Sequence, residues 1–440
     1  MTMTTTPAPA GPSLDTVGAV TDAAPAPGAP PFRNPGLGFL VGLGAAAIAL
    51  MASLLSVGIL TMPLKANLID AAHATTIISI ASTFAGISAL VVSPIVGRMS
   101  DRTLGRFGRR RPYLVLGAAL ILLGAYLVLL AASTAVLTIG WVVMGVGQVS
   151  AFAALGSVIP DQLAPDRRGP ASALFGVAGT AGAVLGLFIA SRFTSLAPMI
   201  MLPAALAVIL LLGFAVTVHD APLARSERPA LVWSDVFGTF WVNPVKFPGY
   251  ALAFASRFAI FCAIAAVNAY QAVFLIMGLH ISPSDVAGKL FLGNLLMGVT
   301  ALVFATGLGK LSDKVGRRKP FVVAAAVIFA VGLALVAGAH GFGGFLVAVT
   351  VMGLGQGVYL AVDFALITQV LPDPRNPAKD LGIMNLASSL PNIVVPAIAP
   401  VLLAVGASAA VPQNFVSFFG AAAIAGAIGA VLIVPIRGVR

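Results

Sequence analysis

Two ionisable side chains sit where charge is expensive. Asp363 lies in an apolar run from about Phe345 to Val370, and Arg257 in one from about Tyr250 to Met277. A charge at the centre of such a segment costs roughly 2.5–3.5 kcal/mol on insertion scales, so embedded acids and bases usually face a partner or a wet path. At about 1.5 Å per residue, both lie about 10–12 Å from the same end of their segments. At that shared depth they can pair, and protonation of Asp363 would release Arg257. This is chemistry suited to coupling a proton gradient. The alternatives are a fixed ion pair serving structure only, or an Arg257 that snorkels to lipid phosphates.

A second set of residues is polar without charge. Gln148 and Gln356 lie near the middles of two apolar segments, and each follows a near-identical stretch, V-M-G-V-G from Val143 and V-M-G-L-G from Val351. With Tyr359, Asn268, Tyr270 and Gln271 they form the mix of amide and aromatic groups that a polar, uncharged ligand needs. Asn385 and Asn392 add two more amides. Hydrogen bonds between helices, beside close-packed glycines, would use the same residue types.

A third set is charged and lies between apolar runs. Gly97 to Pro112 reads G-R-M-S-D-R-T-L-G-R-F-G-R-R-R-P, and Gly309 to Pro320 reads G-K-L-S-D-K-V-G-R-R-K-P. The interval between Pro112 and Pro320 equals that between Gln148 and Gln356, so the chain is a duplication. In it Leu155 occupies the place corresponding to Asp363. The carboxylates Asp101 and Asp313 and the cations Arg102, Arg109, Arg110, Arg317 and Arg318 could exchange charge-assisted contacts between two states. Gly97, Gly108, Gly309 and Gly316, which recur in the two copies, belong to the same latch. A simpler role is orientation, since basic loops stay on the cytoplasmic side of a membrane.

The elements that carry these residues are membrane helices. Of 440 residues 59% are hydrophobic and 9% charged, and the mean hydropathy is +1.04. Soluble domains carry about 25% charged residues. The apolar segments approach the roughly 20 residues that a spanning helix needs, and they lack the alternation of a barrel strand. Twelve are expected, starting near Phe39, Thr75, Pro112, Leu137, Ala171, Pro198, Tyr250, Ala287, Pro320, Phe345, Leu381 and Asn414. The fold class is therefore an all-α polytopic membrane protein, its two six-helix halves related by a parallel pseudo-two-fold axis with the site between them. Residues 38–218 and 250–436 form the halves. Residues 1–37 read as a disordered cytoplasmic tail, and 437–440 as a second tail. Residues 219–249 read as a linker in which Trp233, Phe237, Phe240 and Trp241 suggest a short amphipathic helix.

The net charge of +11 reflects basic loops, so lipid is the expected partner and nucleic acid is not. With most of the 25 Lys and Arg in those loops, both termini are expected in the cytoplasm, the protein crossing the inner membrane many times. The one cysteine, Cys262, lies in an apolar run and offers no disulfide framework. Neither a nucleotide-binding loop nor a metal cluster is visible, so no cofactor, metal or enzymatic activity is expected.

The doubled loop on a six-plus-six plan resembles the major facilitator superfamily over everything beyond the first tail. Within it, S-D-R-T-L-G-R-F-G-R-R-R-P-Y from Ser100 and G-I-M-N-L-A-S-S-L-P-N from Gly382 resemble the glycoside-pentoside-hexuronide:cation symporters and the sucrose:proton symporters. That resemblance implies a monomer that imports a sugar or glycoside with protons by alternating access, its cavity lined by the first, fourth, seventh and tenth helices. Asp363 and Arg257 would then pair across that cavity. The second segment carries no acid for sodium. The runner-up is a proton-driven exporter of a drug or metabolite. Against it, Trp141 stands at the place of the drug:proton antiporters' arginine, and the fifth segment has no embedded Gly-Pro.

Overall fold

The computed structural model describes residues 36–164, 167–218, 220, 242–372, 377–408 and 412–436, with the side chains of 313, 364, 365 and 377–379 left outside. The expected tails and the linker aromatics Trp233, Phe237, Phe240 and Trp241 lie outside the described residues. Among the described residues there is no strand, and twelve helices are long and apolar enough to cross a membrane. They are α1 Leu37–Ile69, α2 Ala74–Arg102, α3 Arg111–Leu130, α4 Thr134–Gln162, α5 Arg168–Ser191, α6 Leu196–Thr217, α7 Pro248–Gly278, α8 Pro283–Ser312, α9 Lys319–Ala337, α10 Phe342–Asp363, α11 Asp380–Ala404 and α12 Phe415–Ile433. The α10 helix itself continues to Ile367.

Local chemistry sets several of the boundaries. Proline occupies the first turn of α3, α7, α8 and α9, where its missing N–H costs nothing. The Ser133 hydroxyl accepts from the Val136 amide at 3.4 Å at the start of α4. Asn414 Oδ1 accepts from the Ser417 amide at 3.1 Å at the start of α12. The α8 helix itself continues to Val315, where Gly316, at φ 66°, ends it in the left-handed conformation that glycine tolerates.

Three spans are irregular. A π-helical turn interrupts α1 at Val57–Thr61, and another closes α7 at Phe274–Gly278. The sequence predicts one continuous eleventh helix, whereas the structure breaks it into Pro377–Ser389 and Pro391–Ala404. Pro391 has no amide proton to continue the ladder. Asn392 Nδ2 compensates by donating to the Ser388 and Ser389 carbonyls at 3.3 and 3.5 Å.

Glycines let the helices approach, because between membrane helices close packing replaces the hydrophobic effect. A Cβ on Gly124 of α3 would lie 2.4 Å from the Met144 nitrogen of α4, and one on Gly355 of α10 2.6 Å from the Ala325 oxygen of α9. The repeated V-M-G-x-G-Q stretch is thus in part a packing motif. Between the halves, α5 packs on α8, and the Pro391–Ala404 part of α11 packs on α2, while Pro377–Ser389 packs on α7 of its own half. Away from the basic loops the halves are tied side chain to side chain. There the Tyr270 and Ser79 hydroxyls are 2.7 Å apart, Gln413 Nε2 donates to Thr75 Oγ1 at 3.2 Å, and the Phe188 and Phe291 rings lie 5.4 Å apart.

Candidate functional site

The embedded charges meet. Arg257 Nη1 on α7 donates to Asp363 Oδ2 on α10, with side chains 15% and 9% exposed. The Tyr359 hydroxyl, one turn earlier on α10, hydrogen-bonds the same carboxylate. The Arg257 guanidinium lies over the Phe261 ring at 4.9 Å, and Tyr359 packs edge-on to that ring at 6.3 Å. One donor stays unspent, since Arg257 Nε is buried without a partner. The expected pairing across the cavity is corrected in one respect: the pair joins α7 and α10 of one half, and neither residue lines the central cavity. Leu155, the repeat mate of Asp363, is fully buried on α4.

A central cavity of about 310 Å³ lies between the halves. It is lined by α1, α2, α4, α7 and α11, and the lining side chains that carry an oxygen or nitrogen are Ser82, Trp141, Gln148, Asn268 and Asn392. Trp141 forms part of the wall, packed so closely on the π turn that a Cβ on Gly58 would lie 3.1 Å from its ring. Gln148 is 4% exposed. Its Nε2 donates to Ser53 Oγ at 2.7 Å, while its Oε1 is buried without a partner.

Five of the expected ligand-binding residues lie elsewhere. Tyr270 is fully buried against Phe418, ring centroids 4.8 Å apart, and bonds Ser79 across the closed end. Gln271 accepts from Asn294 Nδ2 at 3.2 Å, tying α7 to α8. Tyr359 serves the ion pair. Gln356 is half-buried on α10 and Asn385 is exposed on the broken helix, and neither lines the central cavity. A period of 3.6 residues cannot separate a cavity face from a core face when both are mostly apolar. A longer groove of about 760 Å³ runs between α5, α8 and α10, and Thr180 is the one side chain along it that carries an oxygen or nitrogen.

At the basic end the first loop forms a network inside one half. Arg110 Nη1 reaches Asp101 at 2.7 Å and Ser100 Oγ at 2.9 Å, and its Nε donates to Asp161 at 2.8 Å. Arg109 reaches Asp161 at 3.1 Å. Asp161, at the end of α4, went unnoticed in the sequence. So did Asp220, whose Oδ2 accepts from the Arg110 and Arg111 amides at 2.5 and 2.8 Å and caps α3. Gly108 takes φ 90° beneath it, with no room for a Cβ. Arg102 closes α2 as its C-cap residue, its Nη1 buried without a partner, and Gly97 faces open space. In the second copy, Gly309 packs near Ala361, Gly316 ends the helix and Arg317 is exposed. Arg318 begins α9 as its N-cap residue, and the Asp313 side chain is outside the description.

Comparison with known proteins bears on the whole chain. A family profile described as Major Facilitator Superfamily matches residues 38–308 and 296–439. The multidrug resistance protein MdtL of Klebsiella pneumoniae (strain 342) is 38% identical over 103 residues, 23% of this chain and 24% of that protein. MdtL of Shewanella oneidensis is 36% identical over 103 residues, again 24% of its length. The chain thus aligns with about a quarter of these curated relatives. A crystal structure of the nucleoside transporter NupG superposes with a TM-score of 0.70 at 13% identity, covering 91% of this chain and all of that one, and a mutant of it gives 0.71.

Proposed function

The chain belongs to the major facilitator superfamily, and from that premise we propose that it exports an amphipathic drug or metabolite by alternating access, driven by protons through Asp363 and Arg257. One observation carries the substrate class. Of eight residues assigned to a polar ligand, only Gln148, Asn268 and Asn392 line the central cavity, and its remaining walls are mostly apolar. Such a lining suits a molecule with an apolar body and a few hydrogen-bonding groups. The local likeness to proteins named for multidrug resistance supports the same reading. The basic loops then face the cytoplasm, and the protein works as a monomer in the inner membrane.

Sugar or glycoside symport is the second reading, supported by the convergence of those three amides and by the loop and α11 resemblances. Proteoliposomes with an imposed pH gradient separate the two. Movement of lipophilic probes that depends on the gradient, with no uptake of labelled sugars or glycosides, is expected. Gradient-driven accumulation of a glycoside, with no flux of any lipophilic probe, would reverse the order.

A further inference from the structure

The geometry points to a site that recognises a hydrogen-bond donor on its substrate, with Ser53 as the residue that fixes this polarity. The inference rests on the central cavity being the substrate site. Ser53 lies on α1, fully buried, and its hydroxyl donates to the Leu50 carbonyl at 2.9 Å. A hydroxyl has one proton, so towards Gln148 the Ser53 oxygen can only accept. Gln148 must therefore turn its Nε2 to Ser53, at 2.7 Å. Its Oε1 is left as the atom without a partner, on a side chain that lines the cavity.

A second amide in the same wall is biased the same way. Asn392 Nδ2 is engaged by the Ser388 and Ser389 carbonyls at the break of α11, which commits its amide nitrogen to the backbone and leaves Oδ1 for a ligand. The wall of the cavity therefore carries two uncommitted acceptors, one on each half: Asn392 Oδ1 on α11 and Gln148 Oε1 on α4, which has almost no exposed surface of its own in this structure, so that a donor must enter beside it to bond it. A molecule that brings an O–H or N–H group satisfies Gln148 Oε1, whereas the same molecule methylated at that atom leaves it buried and unpaired. Sites built to bond a substrate O–H or N–H reject analogues that lack it far more strongly than apolar pockets reject a change of size.

The test uses the purified full-length chain and matched pairs of probes that differ by one methyl on the single donor: phenols against anisoles, and indoles against N-methylindoles. Thermal stabilisation of the parent is expected at about tenfold lower concentration for the donor members. Gln148→Leu should abolish that ratio. Ser53→Ala should shrink it, because the freed amide can turn Nε2 to the cavity, and quinoline, an acceptor without a donor, should gain affinity. Each ratio is taken within one variant, so a general loss of stability cancels. Gly145 lines the cavity and a Cβ there meets nothing within 4 Å, so Gly145→Leu should fill the site and weaken all the probes. Equal binding of the paired members to the parent, a ratio that survives Gln148→Leu, or no stabilisation by any donor overturns the inference. Stabilisation unchanged by Gly145→Leu overturns instead the assignment of the cavity as the substrate site.

Discussion

Asp363 and Arg257 form a pair that costs desolvation at both ends and still leaves Arg257 Nε unbonded, an arrangement poorly explained by stability alone. Two well-packed apolar side chains of similar volume usually hold as well as a buried pair, whereas removing one partner costs about 3–5 kcal/mol. Arg257→Met is accordingly expected to lower the melting temperature clearly, and Arg257→Met with Asp363→Leu to recover most of it. A double variant that melts as low as the single would show that the charges serve the fold. Asp363→Asn addresses coupling: it keeps the shape and removes the charge change. Uphill movement driven by a pH gradient should be lost, and counterflow exchange at equal concentrations retained, because exchange needs no net proton movement. Accumulation equal to that of the parent would leave the pair structural. Both residues were visible in the sequence as charges in apolar surroundings. Tyr359, which completes the cluster, looks in the sequence like a ligand-binding residue, because its hydroxyl carries no signal of which partner it bonds.

The basic loop follows the same logic at the scale of an element. Residue type and spacing single out Arg109, Arg110 and Asp101 but not Asp161, which lies in the last turn of a long apolar helix and looks like an ordinary end. Asp161 takes both Arg109 and Arg110, and it is less exposed than Asp101, 24% against 52%. An exposed ion pair is worth about 0.2–1 kcal/mol, while Arg110 is 6% exposed and loses more when left alone. Asp161→Asn should therefore lower both transport and melting temperature more than Asp101→Asn, read side by side in purified protein. The reverse order would return the latch to Asp101. The break in α11 was likewise half legible. Pro391 was in view, but a proline alone bends many membrane helices without stopping them. What marks the break is Asn392 satisfying the freed carbonyls, a contact between neighbours in sequence that only the folded geometry reveals.

For the whole molecule, hydropathy and the duplicated loops sufficed for twelve helices in two halves, because spanning helices must satisfy their backbone internally and therefore leave a long, uniform trace. How the halves lean on one another left no such trace, since it depends on a few side chains of unremarkable type. In this structure they touch through Thr75 with Gln413, Ser79 with Tyr270 and Phe188 with Phe291, all remote from the basic loops. Alternating access requires that end to part while the basic end closes. Thr75 Oγ1 and Gln413 Nε2 meet at 3.2 Å, so cysteines at the two positions fall within the span of a short thiol-reactive cross-linker that carries a reducible disulfide. Thr75→Cys with Gln413→Cys, in a Cys262→Ala background, should stop transport when that cross-linker is added and recover on reduction, with either single cysteine unaffected. Transport that continues while the cross-link is demonstrably formed would mean that these ends never separate. The cycle would then have to run through a motion other than rocking of the two halves.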